Sequence, residues 1–290
     1  QDAVQALTKA LENGPPRAEL MEIYKRLGRL QARQGKTAEA LKAWATLASL
    51  FPQDRFALQE LGELLTEEEQ LDEAIKYYNR LADLSKDDGY RRLITRVEVG
   101  QIQVRQGKLK TAIATFDECL AQVEPESWVA RDIRRRIEEI FLRSDDLNGL
   151  SEYYRDRLKR QPDDLNAMVR LAATTDRLGD RKAALEQYRA AVKLAPARKD
   201  LREAMIAELV RADKLAEALA EAVALAEKNP ADIDAWKRVG ELSLKAASPA
   251  DRSKAEAEAL EAWRRIAALR PADPALAVQA AELCRQAAGI

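Results

Sequence analysis

The two cysteines, Cys119 and Cys284, are the most nucleophilic side chains of the sequence, and histidine is absent. Without histidine the chain cannot form a Cys–His catalytic pair, a His–Cys zinc site or a histidine proton relay. No neighbouring pattern lowers the pKa of either thiol. We expect Cys119 to be buried and inert in a helix core, and Cys284 to lie on a terminal helix that truncation would expose. No catalytic residue and no metal site is predicted.

Paired aspartates are the other candidates for chemistry. They occur as Asp87–Asp88, Asp145–Asp146 and Asp163–Asp164, each between two helical segments. A calcium loop would need alternating acids around a central glycine, and a phosphate loop would need clustered glycines; the sequence has neither pattern. An Asp in such a turn can accept hydrogen bonds from the first amides of the next helix. We predict helix caps, and no cofactor.

The composition is typical of a folded, soluble protein. The 290 residues include 48 Lys+Arg and 49 Asp+Glu, a net charge of −1, and 47% of them are hydrophobic. This balance argues against binding nucleic acid or an anionic membrane over the whole surface. No apolar run approaches the ~18 residues of a membrane span.

Self-similarity over 34 residues is the strongest signal in the chain. Pro162, Pro196 and Pro230 are 34 residues apart, at places where a helix would end. Upstream of the prolines, a small residue is followed four positions later by a larger one. Further upstream, two apolar residues three positions apart are followed directly by a glycine. The small and large pairs are Ala3/Leu7, Ala40/Trp44, Ala74/Tyr78, Ala112/Phe116, Ala184/Tyr188 and Ala218/Ala222, and the glycine elements end at Gly28, Gly62 and Gly240. Small residues let helix backbones approach closely, and large ones fill the space between layers.

This pattern resembles the tetratricopeptide repeat, an antiparallel helix pair of 34 residues. The resemblance implies an all-α fold, a right-handed superhelical solenoid of about sixteen helices formed by residues 1–290 as one array. It also implies a concave groove, lined mainly by the first helix of each pair, that holds an extended peptide or a partner helix. The array would contain a partial unit at 1–20, units beginning near Met21, Arg55, Leu93, Arg131, Leu165, Lys199 and Ile233, and a partial terminal helix at 274–290.

Three units are longer than 34 residues. The third and fourth each gain four residues, about one helical turn, at Gly89–Arg92 and Ser127–Ala130, and we expect longer first helices there. In the last full unit, Ser248–Pro249 predicts an N-cap followed by a second helix that extends from about Pro249 to Ala268.

Charged residues at the groove-facing positions are the candidate partner-binding site. The acidic candidates are Glu60, Glu63, Glu67 and Glu98, and the basic ones are Arg135, Arg136, Arg143, Arg170 and Arg177. The arginines could bind carboxylates of a partner in bidentate fashion. The alternative is that these charges compensate each other between adjacent units. This alternative is favoured, because runs of charged residues are frequent on helical surfaces. Trp128, on an inserted turn, is a further candidate anchor, with packing against the preceding helix as its alternative.

One subclass of tetratricopeptide proteins holds the acidic tails of heat-shock chaperones with Lys, Asn and Arg from three units. The matching positions here carry Lys25, Arg29, Glu60, Ile94 and Glu98. The asparagines are missing and two glutamates would repel a carboxylate, which disfavours this subclass.

Three functional hypotheses follow. The favoured one is a non-catalytic scaffold that binds a peptide or helix of a partner protein, whose identity the sequence does not specify. The second is a structural module whose ends stack, as a homo-oligomer or within a larger protein. The third is RNA binding, against which the neutral net charge, the acidic groove segment and the few spare aromatics count.

The chain begins at Gln1 within a helical pattern and ends at Ile290 without the polar cap usual in repeat arrays. We therefore expect the array to continue in a longer protein, which could include a catalytic domain. Two unpaired cysteines fit a reducing cytoplasm but are too few to exclude the periplasm. The Ala-, Arg- and Glu-rich second half resembles bacterial sequences.

Overall fold

A computed structural model describes residues 2–269 and residue 278. These residues form fifteen α-helices and contain no β-strand, which confirms the expected all-α helical-repeat fold. The chain divides into two compact units, unit 1 (Gln1–Ser144) and unit 2 (Asp145–Ile290). The organisation of residues 1–290 as one array stays a prediction. The predicted helix at 274–290, with Cys284, lies outside the described residues except for position 278.

The described part of unit 1 contains eight helices, six of which pack as three hairpins: α2 with α3, α4 with α5, and α6 with α7. The helix α1 packs on α2, and α8 packs on α7. The helices are α1 (Asp2–Glu12), α2 (Arg17–Arg33), α3 (Thr37–Leu50), α4 (Arg55–Glu67), α5 (Leu71–Leu84), α6 (Gly89–Arg105), α7 (Leu109–Leu120) and α8 (Trp128–Arg143).

Unit 2 contains seven described helices, with hairpins formed by α10 and α11, α12 and α13, and α14 and α15, and with α9 packed on α10. The helices are α9 (Leu147–Arg160), α10 (Leu165–Arg177), α11 (Arg181–Leu194), α12 (Lys199–Arg211), α13 (Leu215–Lys228), α14 (Ile233–Ala246) and α15 (Arg252–Leu269). Within the described residues, no helix combines the length and hydrophobicity needed to cross a bilayer.

A residue in the left-handed conformation follows the first helix of five of the six hairpins, all except the hairpin of α14 and α15. After α2 this residue is Gly35, with φ of 75°, and the next amide, Lys36 N, donates to the carbonyl of Gln31 at 2.9 Å. This bond satisfies a carbonyl that the end of the helix would otherwise leave free, and it reverses the chain within three residues. After α4 the same place is held by Glu69, with φ of 56°.

The small and large pairs predicted from the sequence form the core of both units. Ala40 and Ala112 are 0% exposed, and their partners Trp44 and Phe116 are at most 1% exposed. The pair Ala3/Leu7 is an exception, since no residue of α1 is buried among the described residues. The other members of the core are Ala74, Tyr78, Ala184, Tyr188, Ala218 and Ala222.

Each repeated glycine lies directly beneath an aromatic ring of the second helix. A Cβ atom added to Gly62 would lie 2.8 Å from the ring of Tyr78, and one added to Gly100 would lie 2.5 Å from Phe116. Gly100 was missed in the sequence because Arg96, four residues earlier, interrupts the apolar pattern that precedes the other glycines.

The expected lengthening of the first helices is confirmed. The helix α6 has 17 residues and α8 has 16, against 13 in α4. The expected start of α15 at Pro249 is wrong. Ser248 Oγ accepts from the amide of Asp251 at 3.3 Å, so the residues between them form a separate turn, and the helix begins at Arg252.

Candidate partner-binding face

The cysteine and aspartate candidates have structural roles. Cys119 is 1% exposed, and burial raises the pKa of its thiol to about 11, so the nucleophilic thiolate is scarce at neutral pH. Asp88, Asp146 and Asp164 each accept a hydrogen bond from a first-turn amide of the helix that follows, at 2.7 to 2.9 Å. The helix-cap prediction is confirmed. No group of three potential metal ligands occurs in the described part of the chain.

Two of the four acidic candidates are paired with the preceding first helix. Glu60, on α4, forms an ion pair with Lys25 of α2, and both side chains are more than two-thirds buried. Glu67 accepts from Arg29 Nη2 at 2.7 Å. These two carboxylates therefore connect neighbouring first helices within unit 1, as the charge-compensation alternative describes.

The other two acidic candidates, Glu63 of α4 and Glu98 of α6, line a common pocket of about 450 Å³. Glu63 accepts from Gln59 Nε2 at 3.0 Å, and neither carboxylate forms an ion pair with a described residue. The pocket lies between α4, α5 and α6, and its lining is completed by Gln59, Tyr78, Leu81, Asp88, Tyr90, Arg91, Ile94 and Thr95.

The electrostatic character of this pocket is negative. Burial raises the pKa of Tyr78 to about 12, and the charges of Glu63 and Glu98 act in the same direction. Asp88 and Arg91 offset each other, since Arg91 Nε lies 3.4 Å from Asp88 Oδ2. Three carboxylates and one guanidinium line the pocket, which gives a net charge of −2.

The basic candidates of unit 1 contact acids of their own helix, α8. Arg135 pairs with Asp132 and Glu139, and Arg136 pairs with Asp132 at 2.8 Å. Arg143 lies 3.5 Å from Glu139. Burial acts to raise the pKa of Asp132, but hydrogen bonds from Arg136 and Arg135 outweigh it and lower that pKa. This arrangement neutralises much of the positive charge that the sequence placed on α8.

The two remaining basic candidates, Arg170 and Arg177, belong to unit 2. Both are exposed on α10, and Arg177 is its last residue, where a positive charge suits the negative end of the helix dipole.

Exposed aromatic side chains begin three successive first helices of unit 1. Phe56 is 62% exposed, Tyr90 59% and Trp128 60%, each at the first or second residue of its helix. Phe56 shares a face of α4 with Glu63, and Tyr90 shares a face of α6 with Glu98, because residues seven or eight apart lie two helical turns apart on one side. We call the surface formed by these faces of α4 and α6, together with the face of α8 that carries Trp128, the first-helix face.

Of these aromatics, only Trp128 was predicted as a candidate from the sequence. Tyr90 carries the same signal, because it lies in the four-residue insertion Gly89–Arg92 just as Trp128 lies in Ser127–Ala130. An aromatic residue in both inserted turns could have identified it. Phe56 has no such mark, and only its exposure distinguishes it.

Comparison with known proteins supports the repeat assignment. Models of the tetratricopeptide repeat match residues 25–89 and 165–198. No curated protein is similar enough in sequence to count as a relative.

Similar solved structures share little sequence with this chain. YrrB, a TPR protein with an unusual peptide-binding site, is 18% identical over 83% of this chain and 98% of its own, with a TM-score of 0.32. The TPR2AB domain of yeast Sti1 in complex with pHSP90 is 17% identical over 93% and 99%, with a TM-score of 0.35. Naa15/Naa10 bound to HypK-THB is 17% identical over 98% and 43%, with a TM-score of 0.48. These values carry no argument about function.

Proposed function

Because this chain is a tetratricopeptide repeat protein, we propose that it is a non-catalytic interaction scaffold that binds an extended segment of a partner protein on the first-helix face of unit 1. Repeat arrays bury a continuous core and leave extended faces for binding. The observation that carries the proposal is the pocket of about 450 Å³ between α4, α5 and α6, with the exposed ring of Tyr90 in its wall.

The aromatic side chains would provide most of the binding energy. The exposed residues Phe56, Tyr90 and Trp128 lie on the successive first helices α4, α6 and α8, so an extended segment could contact them in turn. Tyr and Trp are enriched among the few interface residues that dominate affinity, and each loses few rotamers on binding.

The charged candidates would set specificity in this proposal. Glu63 and Glu98 have no ion-pair partner among the described residues and are available to a partner. Glu60 and Glu67 would shape the face through their pairs with α2. The basic candidates Arg135, Arg136 and Arg143, and in unit 2 Arg170 and Arg177, remain proposed contacts for acidic partner residues.

Selection of peptides tests this function. A displayed library of random heptapeptides would be panned on the immobilised chain, and the enriched peptides would be titrated by fluorescence anisotropy. We expect Tyr90→Ala to weaken their binding at least about fivefold, because truncation of a residue that dominates an interface costs more than about 1 kcal/mol.

The matched control is Leu194→Ala, which removes an exposed apolar side chain (47% exposed) from α11 in unit 2. It should change affinity by less than about twofold, the range expected away from the interface. Enrichment of no peptide at all, or equal affinity of the peptides for wild type and Tyr90→Ala, would count against the proposal.

A further inference from the structure

We propose that the pocket between α4, α5 and α6 binds an arginine side chain of the partner segment. This inference rests on the proposed function and specifies its partner: an extended segment that carries an arginine where it crosses this pocket. Three properties of the pocket support it: its unpaired negative charge, its aromatic wall and its apolar floor.

On the first-helix face, the pocket differs from its surroundings in the pairing of its acidic residues. Glu60, Glu67, Asp132 and Glu139 all have a cationic partner from α2 or from their own helix α8. Glu63 and Glu98 share one pocket and have none among the described residues. The one guanidinium in the lining, that of Arg91, is held by Asp88. A cationic side chain from outside would therefore complete the ion pairing of this face.

The aromatic wall and the apolar floor favour arginine over lysine. Tyr90 presents a ring that is 59% exposed, and guanidinium groups stack on such rings while they donate to carboxylates at their edge. The floor includes Leu81 and the buried ring of Tyr78, against which the methylene groups of a long side chain can pack. Five donors in a planar fork can reach two separate carboxylates, whereas an ammonium acts as a point charge.

Burial raises the pKa of Tyr78 to about 12, and the negative charges of Glu63 and Glu98 act on its hydroxyl in the same direction. An acidic partner residue would meet the same two carboxylates, which would repel it at short range.

The test uses four heptapeptides that differ only in the central residue. The peptides have the sequence acetyl-Ser-Leu-Ser-X-Ser-Leu-Ser-amide, where X is arginine, citrulline, lysine or glutamate. Each peptide is titrated into the full chain, and its binding is followed through the NMR chemical shifts of Ile94 and Tyr90. Citrulline keeps the shape of arginine and removes its charge. We expect binding in the order arginine, lysine, citrulline, with no shift for glutamate. Glu63→Gln and Glu98→Gln should each weaken arginine-peptide binding about three- to fivefold.

Glu73→Gln is the matched control, since it makes the same change of net charge on α5, where Glu73 is paired with Lys76 at 2.6 Å. It should leave the affinity within about twofold of wild type. Equal binding of the arginine and citrulline peptides, an equal loss in Glu73→Gln and Glu63→Gln, or no shift with the arginine peptide would overturn the inference.

The two proposals can fail separately. If library-selected peptides contact Tyr90 but carry no basic residue, the arginine inference fails and the binding face stands. If selected peptides are indifferent to Tyr90→Ala, the proposed function fails as well.

Discussion

The close contact between Gly100 of α6 and Phe116 of α7 makes a quantitative prediction. A Cβ atom at position 100 would lie 2.5 Å from Cε1 of Phe116, whereas ordinary contacts begin at 3.4 Å. The Phe116 side chain is 0% exposed, so it cannot relieve the contact by turning into solvent. Gly100→Ala must therefore shift the ring or separate the two helices.

The expected magnitude follows from two opposing effects. Overpacking a core by one methyl group costs about 1–3 kcal/mol. Replacing glycine by alanine within a helix contributes up to about 1 kcal/mol of stability. Gly100→Ala should therefore lower the free energy of unfolding by about 0–3 kcal/mol relative to wild type.

The same helix provides the control. Gly89 is the first residue of α6, and a Cβ atom there would meet nothing within 4 Å. Gly89→Ala should leave stability unchanged or raise it by up to about 1 kcal/mol. Guanidinium unfolding followed by far-UV circular dichroism would measure both variants, and Gly100→Ala should be the less stable one by about 1–3 kcal/mol. Equal stability of the two variants would refute the close-packing argument.

Three further predictions concern stability and reactivity. Glu208, 4% exposed, accepts from Arg211 through Oε1, but its Oε2 has no hydrogen-bond partner among the described groups. Burial, together with the charge of Asp176, outweighs Arg211 and raises the pKa of Glu208, so Glu208→Gln should raise the free energy of unfolding by up to about 1 kcal/mol near pH 8, as urea unfolding would show. Asp164 caps α10 and accepts from Arg157 Nε at 2.6 Å, so Asp164→Ala should cost about 2–4 kcal/mol in the same assay. Cys119, with a pKa of about 11, should react with a thiol reagent only after denaturant is added.

The pH dependence gives the Glu208 prediction its sign. A carboxyl whose pKa is raised by folding favours the folded state while it is protonated, and this contribution is lost as the pH rises through the folded-state pKa. The advantage of Glu208→Gln should therefore shrink as the pH falls towards 4.5, the ordinary value. Glu203→Gln, on the same helix and 3.5 Å from Lys199, is the control and should change stability by less than about 0.5 kcal/mol. A loss of stability in Glu208→Gln at high pH would contradict the argument.

Two other controls isolate the remaining effects. Asp54 caps α4, and its only ion pair in the described residues is a contact of 3.7 Å with Arg17, which is largely exposed. Asp54→Ala should therefore lower the free energy of unfolding by about 1 kcal/mol, the usual cost of a lost cap. A cost equal to that of Asp164→Ala would show that the bond from Arg157 contributes nothing. Labelling of Cys119 would be measured in the Cys284→Ser variant, so that Cys119 is the only thiol that can react. Rapid labelling without denaturant would contradict the burial of Cys119.

The sequence predicted the core of this fold better than its surface. Repeated pairs such as Ala40/Trp44 are recognisable because a small residue lets two helices approach closely and a large one fills the space between layers. Gly100 was missed because Arg96 breaks the apolar pattern that marks the other glycines. The close contact with the aromatic ring requires a glycine at position 100, whereas it does not require an apolar residue at position 96.

The surface was harder to predict because pairing depends on side-chain directions that a one-dimensional pattern does not contain. The sequence placed Glu60 and Glu63 in one acidic stretch, but the structure pairs the first with Lys25 and leaves the second in a pocket. In the same way, Arg135 was a candidate for partner carboxylates, and it contacts Asp132 one turn away on its own helix.

Photo-crosslinking from position 90 tests the central claim most directly. Tyr90 would be replaced by the photoreactive residue benzoylphenylalanine, and Lys76, exposed on the second helix α5, would be replaced in a control. The proposed binding face predicts that a library-selected peptide crosslinks from position 90 and not from position 76. Crosslinking from position 76 alone, or from neither position although the peptide binds, would contradict it.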